Sequence, residues 1–209
     1  MEMSRLVVLY IHLIACCTAI GLVLTSDIAT IRKLFKSDPG RSDNIRHLHY
    51  LQRVVSWSLI TLWVSGVAII SLDASVKGLE YFANPKLQAK IAVVLILTFN
   101  GFLLHASVMP NIERFGSMLK LPINQRIFAL VVGSVSGVSW FYAAMLGVGR
   151  SLSWKYSLFE LMVFYPILIA GGFVALWGLT TWAQKKKSYE PFSSSSLSSS
   201  YMYPITSGL

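Results

Sequence analysis

Apolar positions along this chain fall into long unbroken runs rather than into a narrow periodic stripe. Five runs stand out, at 6–25, 51–72, 87–109, 127–148 and 158–182. Each reaches or passes the approximately 20 residues that a helix needs to cross a hydrocarbon core of about 30 Å. None alternates with a period of two, the mark of a membrane β-barrel. The pattern predicts an all-α fold, an integral membrane bundle of five transmembrane helices. The run 6–25 is longer than the apolar part of a secretory signal and precedes no small-x-small cleavage site, so it counts as the first helix.

The polar stretches between the runs are short except for 26–44, "SDIATIRKLFKSDPGRSDN". Its "DPG" is a turn signal. Ser42 or Asp43 is then placed to cap a helix that begins before the membrane, with His47 and His49 in its first turns. Residues 1–187 read as one transmembrane domain. Residues 188–209 read as a Ser-rich, low-complexity tail, expected to be disordered. Small residues mark close helix contacts: Ala15, Ala19 and Gly21 in the first run, Gly133 and Gly137 in the fourth, Gly171 and Gly172 in the fifth. Pro166 predicts a bend in the last helix.

Composition supports the same class. The 209 residues are 55% hydrophobic and 13% charged, with mean hydropathy +0.61, where a soluble domain carries about 25% charged residues. The net charge of +9 is unevenly spread. Twelve of the 18 Lys and Arg residues flank the segment between helices 1 and 2, the segment between helices 3 and 4, and the tail; six lie on the other side. The asymmetry predicts an amino terminus outside and a carboxyl terminus in the cytoplasm. It accounts for the basic balance without nucleic acid. Cys16 and Cys17 are adjacent in one helix and cannot staple distant segments.

Polar side chains inside the runs carry the functional signal, because each is costly in hydrocarbon. His12 lies in the first run, roughly 10 Å from its outer end at 1.5 Å per residue. Lys90, Val94, Leu97, Gly101 and His105 form one drifting stripe on the third helix. Gly101 leaves a hollow one turn from His105, which suits either a flat cofactor or the approach of a neighbouring helix. His49 and His105 are expected at similar depth on adjacent helices, where two imidazoles can ligate one haem iron. Arg46 and Arg53, one turn either side of His49, could meet haem propionates. The alternative is a solvated His49 and a His105 bonded to a backbone carbonyl. Buried His12 needs a partner: a metal, a haem iron, Lys90, or a carbonyl. Lys90 is otherwise a snorkelling anchor. Glu160 reads as the single acid near a helix interior, capping the last helix.

Three segments resemble a group of small bacterial membrane proteins that includes the CopD-type copper-resistance proteins and the J-type protoporphyrinogen oxidases. They are "LYIHLIACCTAIGLVLTSDIATIRKL", "HLHYLQRVVSWSLITLWVSGVAII" and "NPKLQAKIAVVLILTFNGFLLH". The resemblance covers about residues 5–148. It implies a multi-pass protein of the bacterial inner membrane. It also implies haem b, with a first-helix histidine and a third-helix lysine that map onto His12 and Lys90. This chain lacks the Trp expected ahead of that lysine and adds His49 and His105, which leaves room for a second or different haem position. The CopD side of the group implies copper, for which Met1, Met3 and His12 are a sparse donor set.

The functional expectation is therefore a haem b-binding membrane protein in electron transfer or oxidation, with cofactor residues His12, His49, Arg53, Lys90, Gly101 and His105. His12, His49 and His105 are the candidate metal ligands. An electron donor or a partner membrane subunit would complete it. The competing expectations are copper transport and a cofactor-free assembly subunit. The sequence has no nucleotide-binding glycine pattern, no Ser-His-Asp set and no paired carboxylates.

Overall fold

The computed structural model describes residues 2–35, 41–116, 118, 121–149 and 154–189. Within them the chain is helical almost throughout. The helices are α1 (Glu2–Phe35), α2 (Arg41–Lys77), α3 (Pro85–Leu103), α4 (Met109–Phe115), α5 (Ile123–Val148) and α6 (Leu158–Tyr189). A 3-10 turn, Leu79–Ala83, joins α2 to α3, and a π-helical turn, Leu104–Val108, joins α3 to α4 without a break in the rod. Five helical spans are long and apolar enough to cross a membrane: Met3–Arg32, His49–Lys77, Pro85–Phe115, Ile123–Val148 and Leu158–Lys185. The protein is a multi-pass membrane protein in contact with the lipid bilayer.

The helices outrun the apolar runs at several ends. α1 continues to Phe35 and α2 starts at Arg41, so most of the expected 26–44 linker is helix. The "DPG" turn, the side chains of the Ser42 and Asp43 cap, and those of Arg46 and His47 lie outside the described residues. So does the tail from residue 190, while 188–189 still belong to α6. Local chemistry explains the well-defined starts. Asn84 accepts from the Lys86 backbone N–H at 3.0 Å, with Pro85 at the first helical position of α3, where a missing N–H costs nothing. At α6, Ser157 and Glu160 form a capping box. The Glu160 carboxylate accepts from the Ser157 backbone N–H at 2.7 Å, and the Ser157 hydroxyl accepts from the Glu160 N–H at 3.2 Å. The capping role expected of Glu160 holds. Its status as the single acid does not, because Asp27 and Asp73 also lie within helices.

α5 is the central helix, with nine buried residues among those described. Against it, Ala89 and Val93 of α3 and Leu161 and Tyr165 of α6 enclose Tyr142 and Leu146. A second cluster joins Ala19 of α1, Leu97 of α3 and Trp140 of α5. Lipid is as apolar as leucine, so close packing and interhelical hydrogen bonds, rather than expulsion of water, hold such helices together. Both are present. A Cβ on Gly172 would come 3.4 Å from Val138 and 3.7 Å from Ser134, so α6 lies tight on the small-residue face of α5. Asn100 donates to the Val132 carbonyl at 3.0 Å. The Ser139 and Tyr165 hydroxyls meet at 2.8 Å, and Tyr142 donates to the Leu161 carbonyl. α6 runs through Pro166 as one helix.

α1 pairs with α2 along their length. At one end, Arg5 forks onto Asp73, Nε to Oδ1 at 2.7 Å and Nη2 to Oδ2 at 3.4 Å, and Lys77 adds a 3.8 Å contact to the same carboxylate. Burial, with the Asp73 carboxylate beside it, pushes the Tyr81 phenol above its ordinary range.

Candidate functional site

Two places gather the polar side chains singled out in the sequence. The first lies between α1 and α2. His12 Nδ1 is 2.8 Å from Ser65 Oγ, and Ser65 Oγ is 2.6 Å from the Thr61 carbonyl. A carbonyl can only accept, so the serine proton goes to Thr61. The hydroxyl oxygen must then accept from His12, which places the imidazole proton on Nδ1 and leaves Nε2 with its lone pair. Gly66 sits against the ring, 3.7 Å from His12 Cε1 to the position a Cβ would take. A serine and a glycine in sequence thus supply a hydrogen bond and a flat wall to one imidazole.

Lys90 enters the same region from α3. Its Nζ lies 3.9 Å from the position of a Cβ on Gly147 in α5, so the side chain turns inward against the bundle. The ammonium is within electrostatic reach of both His12 and Cys16. Among the described residues it makes no ion pair and no hydrogen bond. A cation turned into a membrane bundle without an anion is an open requirement. Cys16 is half-buried and Cys17 exposed, both as free thiols. Among the described residues, no three His, Cys, Asp or Glu side chains converge as a metal-binding group.

The second place is an open groove of about 350 Å³. His49, Gln52, Arg53, Ser56, Trp57 and Ile60 line it from one face of α2, and His105 closes it from the π-helical turn. His105 Nδ1 donates to the Gly101 carbonyl at 2.9 Å, which again leaves Nε2 as the open nitrogen. His49 differs: its Nε2 lies 2.8 Å from Glu113 Oε1. With Glu113 on that nitrogen, His49 has only Nδ1 to offer. A Cβ on Gly101 would meet nothing within 4 Å, so no described helix of this chain fills the hollow.

The register between α2 and the α3–α4 rod sets the two histidines apart. Trp63 Nε1 donates to Thr98 Oγ1 at 3.0 Å near one end of this contact, and His49 meets Glu113 at the other. His105 lies eight residues before Glu113 and is therefore level with Trp57, eight residues beyond His49. At 1.5 Å per residue this is an offset of about 12 Å. The similar depth expected from sequence is not found: His49 and His105 stand at different levels of one groove.

Sequence reasoning missed Ser65, Glu113 and the π-helical turn. Ser65 had a signal in the Ser-Gly pair interrupting the second apolar run. The turn had one in Pro110, which cannot donate to residue 106 and crowds its carbonyl, and which follows the wide turn directly. Glu113 sits beyond the third run, where an acid reads as surface.

The residues present at the first place suit haem b in kind. His12 Nε2 is a nitrogen donor whose tautomer a neighbouring hydroxyl fixes, and Lys90, without an ion pair among the described residues, would be the group to meet a propionate. No family model, curated protein or solved structure matches this chain.

Proposed function

We propose that this multi-pass membrane protein binds haem b between α1, α2 and α3 and acts in electron transfer or oxidation. His12 Nε2 is the iron ligand in this reading, and Lys90 answers a propionate. The observation that carries it is the Ser65 hydroxyl, which commits its proton to Thr61 and so holds His12 with Nε2 open. The hydrogen bond to Ser65 satisfies one ring nitrogen of a buried imidazole, and haem iron would satisfy the other. Haem, when bound, supplies a one-electron couple; the chain supplies the ligand, a neutralising cation and an apolar surrounding that sets the potential. The resemblance of the His12 and Lys90 segments to haem-linked membrane proteins points the same way. Copper has less support, with His12 and Cys16 one turn apart and no third donor of the His, Cys, Asp or Glu type beside them among the described residues.

The test is the absorption spectrum of the purified protein. A Soret band that shifts on dithionite reduction, and that His12→Ala removes while the protein remains in the membrane, supports the reading. A colourless preparation from haem-replete cells overturns it.

A further inference from the structure

The groove on α2 has a chemical gradient along its axis that the haem reading does not use. Over the eleven residue steps from His49 to Ile60, roughly 16 Å of helix, its α2 lining passes from charged and amide groups through the Ser56 hydroxyl to the faces of Trp57 and Ile60. The polar groups His49, Gln52 and Arg53 lie where the apolar run 51–72 begins, and Trp57 and Ile60 lie deeper on the same face of α2, with the His105 imidazole across from Trp57. Groups ordered this way along one face match an amphiphile lying parallel to the helix, head at the membrane edge and chain inward. Trp57 and Ile60 are 64% and 51% exposed, so the deep half opens sideways towards lipid rather than into the bundle.

The head end selects for negative charge. Arg53 is exposed and makes no ion pair with a described residue. Glu113 of α4 is already taken by His49 at 2.8 Å. One residue before Arg53, Gln52 Nε2 is a buried amide donor with no hydrogen-bond partner. Among the described residues, a guanidinium without an ion pair, an amide donor lacking an acceptor and a Ser56 hydroxyl without a hydrogen bond together call for an oxyanion with further acceptor oxygens. A phosphodiester followed by ester carbonyls has that sequence of groups in that order. A quinone headgroup is amphiphilic but uncharged, and leaves Arg53 unanswered.

We propose that this groove is a binding site for an anionic phospholipid. The phosphate sits at Arg53, with its ester oxygens towards Gln52 and Ser56. One acyl chain lies over Trp57 and Ile60. Basic pockets between transmembrane helices recognise acidic lipid headgroups by the same electrostatics, and the guanidinium adds a planar, two-pronged match to phosphate. The site is independent of whether His12 carries haem.

The experiment uses the full chain in detergent and in nanodiscs, with phosphatidylglycerol and phosphatidylcholine of equal chain length as probes and native mass spectrometry as readout. Wild-type protein should retain phosphatidylglycerol in preference to phosphatidylcholine. Arg53→Gln should lower phosphatidylglycerol retention by about tenfold, the scale of losing hydrogen bonds to a charged group. Arg53→Lys should keep part of it. Trp57→Ala should weaken both lipids alike. Equal retention of the two lipids by wild-type protein overturns the proposal and needs no variant, so a misfolded Arg53→Gln leaves it decidable. Unchanged retention in a folded Arg53→Gln also overturns it. So does loss of a Soret band or of co-purifying quinone, in place of phospholipid, from that variant, since the cation would then serve a propionate or a quinone.

Discussion

His12 Nδ1 and Ser65 Oγ stand 2.8 Å apart, and the serine's proton is directed to the Thr61 carbonyl at 2.6 Å. Direction follows from these two distances alone: the imidazole donates, and its other nitrogen faces whatever the bundle offers. Ser65→Ala removes the acceptor, frees the ring to turn and lets the proton move to Nε2. Loss of such an orienting partner typically lowers metal affinity about 10–100-fold. Haem content per protein, from the Soret band after purification, should fall in Ser65→Ala and recover largely in Ser65→Thr. Full haem content in Ser65→Ala would show that the serine does not set the histidine.

Lys90 tests the second half of that site. Replacing it with methionine keeps the length and removes the cation. If the ammonium balances a propionate, Lys90→Met should weaken haem retention and shift the reduction potential, read by spectroelectrochemistry. An unaltered potential and full occupancy would return Lys90 to the role of an anchor at a helix end. His12→Ala and Lys90→Met should not combine additively, since both act on one bound group.

How far the sequence could be read depends on what each feature needs. The five spans follow from composition and length, which are local properties, and every span is found. The Glu160 cap follows from Ser-x-x-Glu, also local. Lys90 and His12 come together because an antiparallel bundle matches residues by distance from the membrane edge, and both lie well inside one edge. The His49–His105 relation fails for the same reason in reverse. It turns on helix register, which is fixed by Trp63 with Thr98 and His49 with Glu113 across a rod that includes a π-helical turn. No residue pattern on one helix states which residue of another will stand opposite. Arg5 and Asp73 were likewise invisible as a pair, 68 residues apart in sequence.

Buried groups of two kinds, apolar and hydrogen-bonded, lie in the bundle. Leu146 is fully buried, and Leu146→Ala should leave a cavity costing about 2–5 kcal/mol. Asn100 donates one interhelical hydrogen bond at 3.0 Å, and such bonds average about 0.6 kcal/mol in membrane bundles. Asn100→Leu should therefore destabilise much less than Leu146→Ala. Thermal unfolding in one detergent compares them directly; the reverse order would mean that polar contacts, rather than packing on α5, hold the bundle.

At the Arg5 end, Asp73 gathers three partners: Arg5, Lys77 and, through its hydroxyl, Tyr81. It ties the start of α1 to the end of α2. Asp73→Asn should cost about 1.5–3 kcal/mol, as for hydrogen bonds to a charged group, and more than Lys77→Met, whose 3.8 Å contact is exposed. Burial and the neighbouring carboxylate raise the Tyr81 pKa in the folded chain. The unfolded chain therefore loses its phenolic proton first as pH climbs past about 10. Stability present below that pH is lost as it rises towards the folded value. Wild-type protein should show this alkaline loss more strongly than Tyr81→Phe, in unfolding curves taken across that range. Identical pH slopes would place Tyr81 outside the cluster.

Sidedness rests on the distribution of Lys and Arg rather than on the fold, which is the same whichever way it faces. Twelve basic residues flank the His49 end of the bundle and six the Arg5 end. A charge bias of this kind directs the richer side to the cytoplasm. A reporter fused after Lys187 should therefore be active in the cytoplasm, and one fused within the segment between α5 and α6 should be active outside. Moving three of the basic residues of the α1–α2 segment to the opposite segment should lower the fraction in this orientation. A reporter after Lys187 that reads external would reverse the assignment. It would also place the α2 groove in the outer leaflet, where its phospholipid would have to be supplied.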